Sequence, residues 1–323
     1  MIAKPKAKPI LLLKLEALLK RLPESHPKYS LIKTDYAKQK AGYIGEKHLE
    51  YPLSYLPGKD YLIFHDLRLS NGRHFFQMDV LLLTPFFISI LEVKNISGSI
   101  FFNSSFKQII RTIEGKEEGF ADPVAQVKRQ ADDLKNWLAR YRFPVLPIEP
   151  LVVTANERTV IKFDPRDKIT PYLVIPSLDI ISKMRLYEKK YTSALLNSRQ
   201  LKKLFSCLIA DHIPAEIDIL QRYALQINDL IKGAQCPSCL SFPMNRVRGS
   251  WKCFACSHVS KDAHIQAIND YALLINPIIT NKEARNYLGS LSSDTAKRIL
   301  KQTCRVSAGN KKGKRYFIPF DEV

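Results

Sequence analysis

The chain has 323 residues, 46% of them hydrophobic and 25% charged, with 50 Lys and Arg against 31 Asp and Glu for a net charge of +19. That length exceeds one ordinary core and predicts two or three domains, and the composition excludes wholesale disorder. The positive excess creates a field that favours polyanions, nucleic acid before acidic membrane surfaces. No apolar run reaches the ~18 residues that a spanning helix needs.

At the start of the chain, a Lys-rich segment precedes Ile10 to Leu13, but the apolar run stops at Lys14 and no small-residue cleavage site follows. The expectation is a cytoplasmic protein that is neither exported nor held in a membrane. Leu11, Leu12, Leu15, Leu18, Leu19 and Leu22 fall on one helical face, so residues 1–37 read as an amphipathic extension packing on the body. Residues 38–182 read as one α/β domain. A helix is predicted over 43–56, ended by Pro57-Gly58, followed by strands over 61–69, 75–83 and 87–93 that are rich in Phe, Ile, Leu and Val. Asp122-Pro123 opens a long helix with Pro in its favoured first turn, and Pro144 and Pro147 stop it. Further strands are predicted over 150–154 and 171–175. Residues 183–233 read as a helical connector with a break at Pro214.

One stretch carries chemistry. Asp79 lies in one apolar strand, and Glu92 and Lys94 end the next. Residues two apart on a strand project to the same side, so Glu92 and Lys94 point together, and a hairpin-like connection brings Asp79 beside them. Two carboxylates at a sheet edge bind a hard cation such as Mg²⁺ (or Mn²⁺) through oxygen, and a lysine there orients or deprotonates water. The plainer alternative is a structural ion pair at a strand end. Glu46 precedes the sheet on a helix, and Gln126 and Gln130 share one helix face, where amides can bond phosphate, base or water.

In order, Gly42-Tyr-Ile-Gly45-Glu46, Asp79, Glu92-Val-Lys94-Asn95 with Gly98, and Asp122-Pro123-x-x-Gln126-x-x-x-Gln130 resemble the nuclease-related (NERD) domain. That family is a branch of the PD-(D/E)xK restriction-endonuclease-like superfamily. The resemblance spans roughly residues 38–180. It implies a mixed sheet flanked by helices and phosphodiester hydrolysis on DNA. Asp79 and Glu92 would hold the metal, Lys94 would act on the water, Glu46 would complete the acidic cluster, and Gln126 and Gln130 would line the site. The chain departs from the family pattern at Phe101-Phe102-Asn103, where a tryptophan-containing strand is expected.

Cys236-Pro-Ser-Cys239 and Cys253-Phe-Ala-Cys256 have the spacing of a four-thiolate Zn²⁺ site within residues 234–260. Four sulfurs close the coordination shell, so this zinc is structural. Met244 to Arg246 and Trp251-Lys252 fit the short strands of a zinc ribbon, and Arg246, Arg248, Trp251 and Lys252 are its candidate nucleic-acid contacts, with a purely structural role as the alternative. His258 is a spare ligand.

Residues 265–323 form a basic unit. Thr280 to Glu283 is a capping box opening a helix that Gly289 ends, and Ser292 or Ser293 caps a second. Two strand-like segments then flank a Lys-rich tip, which looks like a winged helix-turn-helix. Lys297, Arg298 and Lys301 would meet DNA from the second helix, and Lys311, Lys312 and Lys314 from the wing. The combined reading is a Mg²⁺-dependent DNA nuclease, compatible with a homodimer. Its rivals are a DNA-binding protein that uses the nuclease fold as scaffold, and a nuclease acting on RNA.

Overall fold

The computed structural model describes residues 1–289, 291–304, 306–310 and 313–319. The chain divides into two compact units, Met1–Ala7 with Lys40–Ala215, and Lys8–Gln39 with Glu216–Val323.

The first unit is built on ten strands: β1 (Ile2–Lys4), β2 (Leu62–Ser70), β3 (Phe75–Leu83), β4 (Ile88–Lys94), β5 (Ser99–Asn103), β6 (Gln108–Ile113), β7 (Lys116–Ala121), β8 (Ile148–Thr154), β9 (Val160–Phe163) and β10 (Val174–Pro176). Six form a mixed sheet in the order β1-β2-β3-β4-β8-β10. The hairpin-linked strands β2, β3 and β4 run antiparallel, whereas β1, β8 and β10 add in parallel. Alternation sorts the side chains between two cores. Ile88 and Ile90 of β4 pack with Val124, Val127, Leu134 and Trp137 of the helix Pro123–Arg140. Leu91 and Val93 pack on the opposite face with Ile180, Met184 and Tyr187 of the helix Ile180–Lys190. Helices thus flank the mixed sheet on both faces, the architecture that the family resemblance implies.

The alternation changes phase in β2 and β3. Phe64 and then Leu67 and Leu69 lie in one core, as do Phe76 and Met78 and then Leu81 and Leu83. The shift falls at Asp66 and Asp79, and Asp66 takes the left-handed backbone at φ 50°. For a non-glycine residue inside a strand this conformation is costly, and it re-aims the side chain out of the ordinary alternation.

Two local expectations are corrected. The helix expected over 43–56 is two helices, Tyr29–His48 and Glu50–Leu53. Pro52 has no N–H for the His48 carbonyl and its ring crowds that oxygen, so the long helix stops there. Over 171–175, Pro171 sits at the start of a short helix, Thr170–Leu173, and only Val174–Pro176 is extended. A second sheet, ordered β7-β6-β5-β9, takes in as β5 the strand expected at Phe101-Phe102-Asn103, and its other three strands match no expectation. Every residue of β7 is exposed, so no apolar alternation marks it.

In the second unit, Leu15, Leu18 and Leu22 from and just after the helix Ile10–Arg21 share a core with Ile32, Ile219, Tyr223 and Leu274. Three short antiparallel strands, Asn245–Val247, Ser250–Lys252 and Val259–Ser260, carry the cysteine module. The helices Ala263–Leu274, Asn281–Leu288 and Ser293–Thr303 follow. A small sheet places Arg315–Phe317 between Ile278–Thr280 and Val306–Ala308. Among the described residues, no helix is long and apolar enough to cross a membrane.

Candidate active site and metal centre

Three elements bring the acidic residues together. The register of β3 on β4 pairs Val80 with Leu91, which leaves Asp79 beside the end of β4. There the Asp79 Oδ2 accepts the Val93 N–H at 2.8 Å, in place of a ladder bond. Glu92, 2% exposed, points to the face covered by the helix Pro123–Arg140. Both of its oxygens are occupied. Oε1 accepts from Lys94 Nζ at 2.7 Å and Oε2 from Gln130 Nε2 at 2.8 Å. Lys94 also reaches Gln126 Oε1 at 3.3 Å, and Gln130 donates to the Gln77 carbonyl at 2.8 Å. The helix that delivers the glutamines starts firmly: Asp122 accepts the Val124 N–H at 2.8 Å, with Pro123 behind it.

Glu46 arrives from the last turn of Tyr29–His48. Gly45 is what lets this helix approach, because a Cβ there would overlap the side chain of Asn95. Asn95 Nδ2 then donates to the Ala41 carbonyl at 2.7 Å and ties the helix to the end of β4. The two glycine-flanked and lysine-flanked motifs are therefore one joint in space.

Two residues of this cluster escaped the sequence reading. Lys6, just beyond β1, pairs with Glu46 and lies 2.7 Å from Asp66 Oδ2. Its side chain is only 1% exposed. Burial opposes the Lys6 ammonium, yet Glu46 and Asp66 outweigh it and hold its pKa above the ordinary lysine value. The same burial raises Glu46; Lys6 pulls it down, and Asp66 and Glu92 push it further up. Asp79 lies well above the usual carboxylate range, first from burial and then from repulsion by Glu92 and Glu46. The Val93 N–H and Lys94 act in the opposite direction.

These donors are of the type that a hard divalent cation takes, though among the described residues only the four cysteines group three or more ligand atoms within 4.8 Å of one another. The donors at Glu46, Asp79 and Glu92 are carboxylate oxygens, and the repulsion at Asp79 is the kind that a bound cation relieves. Asp79 and Glu92 are the residues that would hold it, with Glu46 beside them.

The cysteine module is more closed. The four Sγ atoms of Cys236, Cys239, Cys253 and Cys256 all lie within 4.8 Å of one another. Cys236 to Cys256 is 3.6 Å and Cys239 to Cys253 is 3.5 Å. A tetrahedron with Zn–S bonds of about 2.3 Å has edges of roughly 3.8 Å, so the thiols are spaced for zinc. His258 is exposed and outside the quartet; its carbonyl accepts the Cys253 N–H at 2.9 Å.

Trp251 is corrected as a nucleic-acid contact. It is 1% exposed, packs in the core and donates from Nε1 to His264 Nδ1 at 3.0 Å. The exposed aromatic of the module is instead Phe254, at 78%, between the second pair of cysteines. Arg248 and Lys252 are exposed, and Arg246 lies over the Trp251 ring at 5.1 Å. Lys297, Arg298 and Lys301 are exposed on Ser293–Thr303, and Lys314 is half-buried against Tyr316. Lys311 and Lys312 lie outside the described residues.

Residues 41–155 match the model of the nuclease-related domain family. No curated protein and no solved structure matches the chain. The chain thus contains a nuclease-related domain, and the matched segment holds Glu46, Asp79, Glu92, Lys94, Gln126 and Gln130 together.

Proposed function

We propose that the chain is a divalent-metal-dependent nuclease acting on DNA. The observation that carries this reading is the convergence of Asp79, Glu92 and Lys94 with two glutamine amides at one end of the sheet. Asp79 and Glu92 would hold a Mg²⁺ or Mn²⁺ ion, which would supply charge neutralisation at the phosphate and a more acidic water. Gln130 and Lys94 fix Glu92, so its oxygens are presented in one orientation. The Lys94 ammonium is held between Glu92 and Gln126, within reach of an attacking water or a phosphate oxygen. In the hydrolysis, the water oxygen forms a bond to phosphorus and the P–O bond to the leaving sugar oxygen breaks. The water's proton passes to solvent or a basic group, and the departing oxygen takes one up.

DNA affinity is assigned to the second unit. Residues 216–323 contain 16 Lys and Arg against nine Asp and Glu. Burial and the neighbouring Arg298 draw the Arg246 guanidinium below its ordinary value, and like charges held this close favour a polyanion over them. Lys297, Arg298, Lys301 and Lys314, together with Lys311 and Lys312, are assigned to phosphate contacts of a winged-helix-like unit. Zinc in the cysteine quartet stabilises the module that carries Arg246.

A second reading has its own support. Both Glu92 oxygens are already satisfied by Lys94 and Gln130, as expected of a scaffold that binds DNA without cutting it. Incubation of supercoiled plasmid with the purified protein, with Mg²⁺ or with EDTA, separates the two. Mg²⁺-dependent nicking or linearisation supports the nuclease, and tight binding without cleavage supports the scaffold.

A further inference from the structure

Lys6 occupies an unusual place for a lysine. Its ammonium is sealed from solvent, paired with Glu46 and with Asp66 at 2.7 Å, and 5.9 Å from the Tyr43 ring. Lysines ordinarily keep the charged head in water. This one is carried to the acidic cluster by β1, which pairs in parallel with β2, with Lys4 donating to the His65 carbonyl at 2.8 Å. Its partner Asp66 is offered by a strand residue in the left-handed conformation. Backbone strain on one side and a buried charge on the other are both invested in this contact.

The charge balance gives the contact a meaning. Glu46, Asp66, Asp79 and Glu92 bring four carboxyls, and Lys6 and Lys94 bring two ammonium groups. When all are ionised the difference is two negative charges, the charge of one divalent ion. We propose that Lys6 is a built-in cation, filling the Glu46–Asp66 side of the cluster so that this side takes no metal ion. Resting on the nuclease reading of the same site, the inference makes it a one-metal centre at Asp79 and Glu92. The ammonium holds Glu46 in position through their ion pair, with Asp66 as its second partner. Lys6 is in this sense a positioning residue.

The test is Mn²⁺ binding to the zinc-loaded full chain, followed by calorimetry and by the Mn²⁺-dependent shift in melting temperature. Lys6→Met removes the charge while keeping the stem, and is expected to bind one more Mn²⁺ per chain than the wild type. Lys6→Arg keeps the charge and is expected to match the wild type. If Lys6→Met does not fold unaided, Mn²⁺ at millimolar concentration is expected to restore its cooperative melting, where Mg²⁺-free buffer does not. An unchanged number of bound ions in a folded Lys6→Met, or a variant that stays unfolded in Mn²⁺, overturns the proposal. The difference between variant and wild type is what decides it. A wild type that binds no Mn²⁺, beside a variant that binds one, leaves the role of Lys6 standing and removes the metal reading of Asp79 and Glu92.

Discussion

Where Arg21 meets Asp270, buried charge faces its opposite; where Asp79 meets Glu92, it faces its like. The Arg21 guanidinium, in the second unit, donates to Asp270 at 2.7 Å and to the Gly233 carbonyl at 2.6 Å, and lies over the rings of Phe242 and Tyr287. Gln266 takes the other Asp270 oxygen at 2.8 Å. Pair and surroundings form a structural lock in which Arg21 Nη2 alone of the guanidinium nitrogens is buried without a hydrogen-bond partner. In the first unit, burial and then repulsion by Glu92 and Glu46 raise the Asp79 carboxyl well above the usual range. Such a conflict is of the kind that a bound ligand resolves, which supports the second arrangement as the candidate site and the first as part of the frame.

The contrast is sharpened first by catalysis. Lys94→Ala is expected to lower the rate of Mg²⁺-dependent plasmid cleavage by about 10²–10⁴-fold, in the range of a lost proton-transfer or charge-stabilising group. Its stability should fall by less than that of Asp270→Ala, because Gln130 still donates to Glu92 when Lys94 is gone. Asp270→Ala should do the reverse. Leaving Arg21 buried without its partner costs about 3–5 kcal/mol of folding free energy, read by denaturant unfolding, while the chemistry at Lys94 is untouched. A loss of less than about 1 kcal/mol would break the picture of a lock.

The conflict at Asp79 has a stability signature of its own. Asp79→Asn keeps an acceptor for the Val93 N–H and removes the repelled charge, so at neutral pH it should stabilise the fold by on the order of 1 kcal/mol while abolishing cleavage. The pH dependence follows in sign. A carboxyl whose folded pKa is raised binds its proton more tightly folded than unfolded. Its favourable contribution is complete below the unfolded value, near pH 4, and is lost as pH rises through the raised folded value. Wild-type melting temperature should therefore fall more steeply than that of Asp79→Asn as pH is raised from 4 in metal-free buffer. Parallel curves would show that Asp79 is not under strain.

The smallest expected effect is in binding. Replacing Lys297, Arg298 and Lys301 together should weaken DNA binding across sequences and reduce the slope of log K against log salt by up to about 2.7, near 0.9 for each lost phosphate contact. Equal slopes for variant and wild type would remove that helix from the interface.

Much of the candidate site was legible because its signals are local. Asp79, Glu92 and Lys94 stand out as charges inside apolar strands, and strand alternation puts Glu92 and Lys94 on one side. Gln126 and Gln130 are one helical turn apart, and the cysteine spacing is intrinsic to a tetrahedral site. Lys6 gave no signal, since its partners lie 40 and 60 residues away and its strand is three residues long. Asp66 was hidden because a run of apolar alternation does not show where a strand changes phase. Trp251 was misplaced for a different reason. Composition shows that an aromatic is present in the module, but only packing shows that Trp251 faces His264 while Phe254 faces water.

The most direct test of the central claim is a paired measurement on Lys94→Ala and wild type: plasmid cleavage and DNA affinity in the same Mg²⁺ buffer. The account predicts that cleavage falls by at least about 10²-fold while affinity stays within about two-fold, because the catalytic charge and the DNA-holding charges sit on different residues. Equal cleavage by the two proteins, or none by either beside intact binding, would contradict it and leave the nuclease fold as a scaffold.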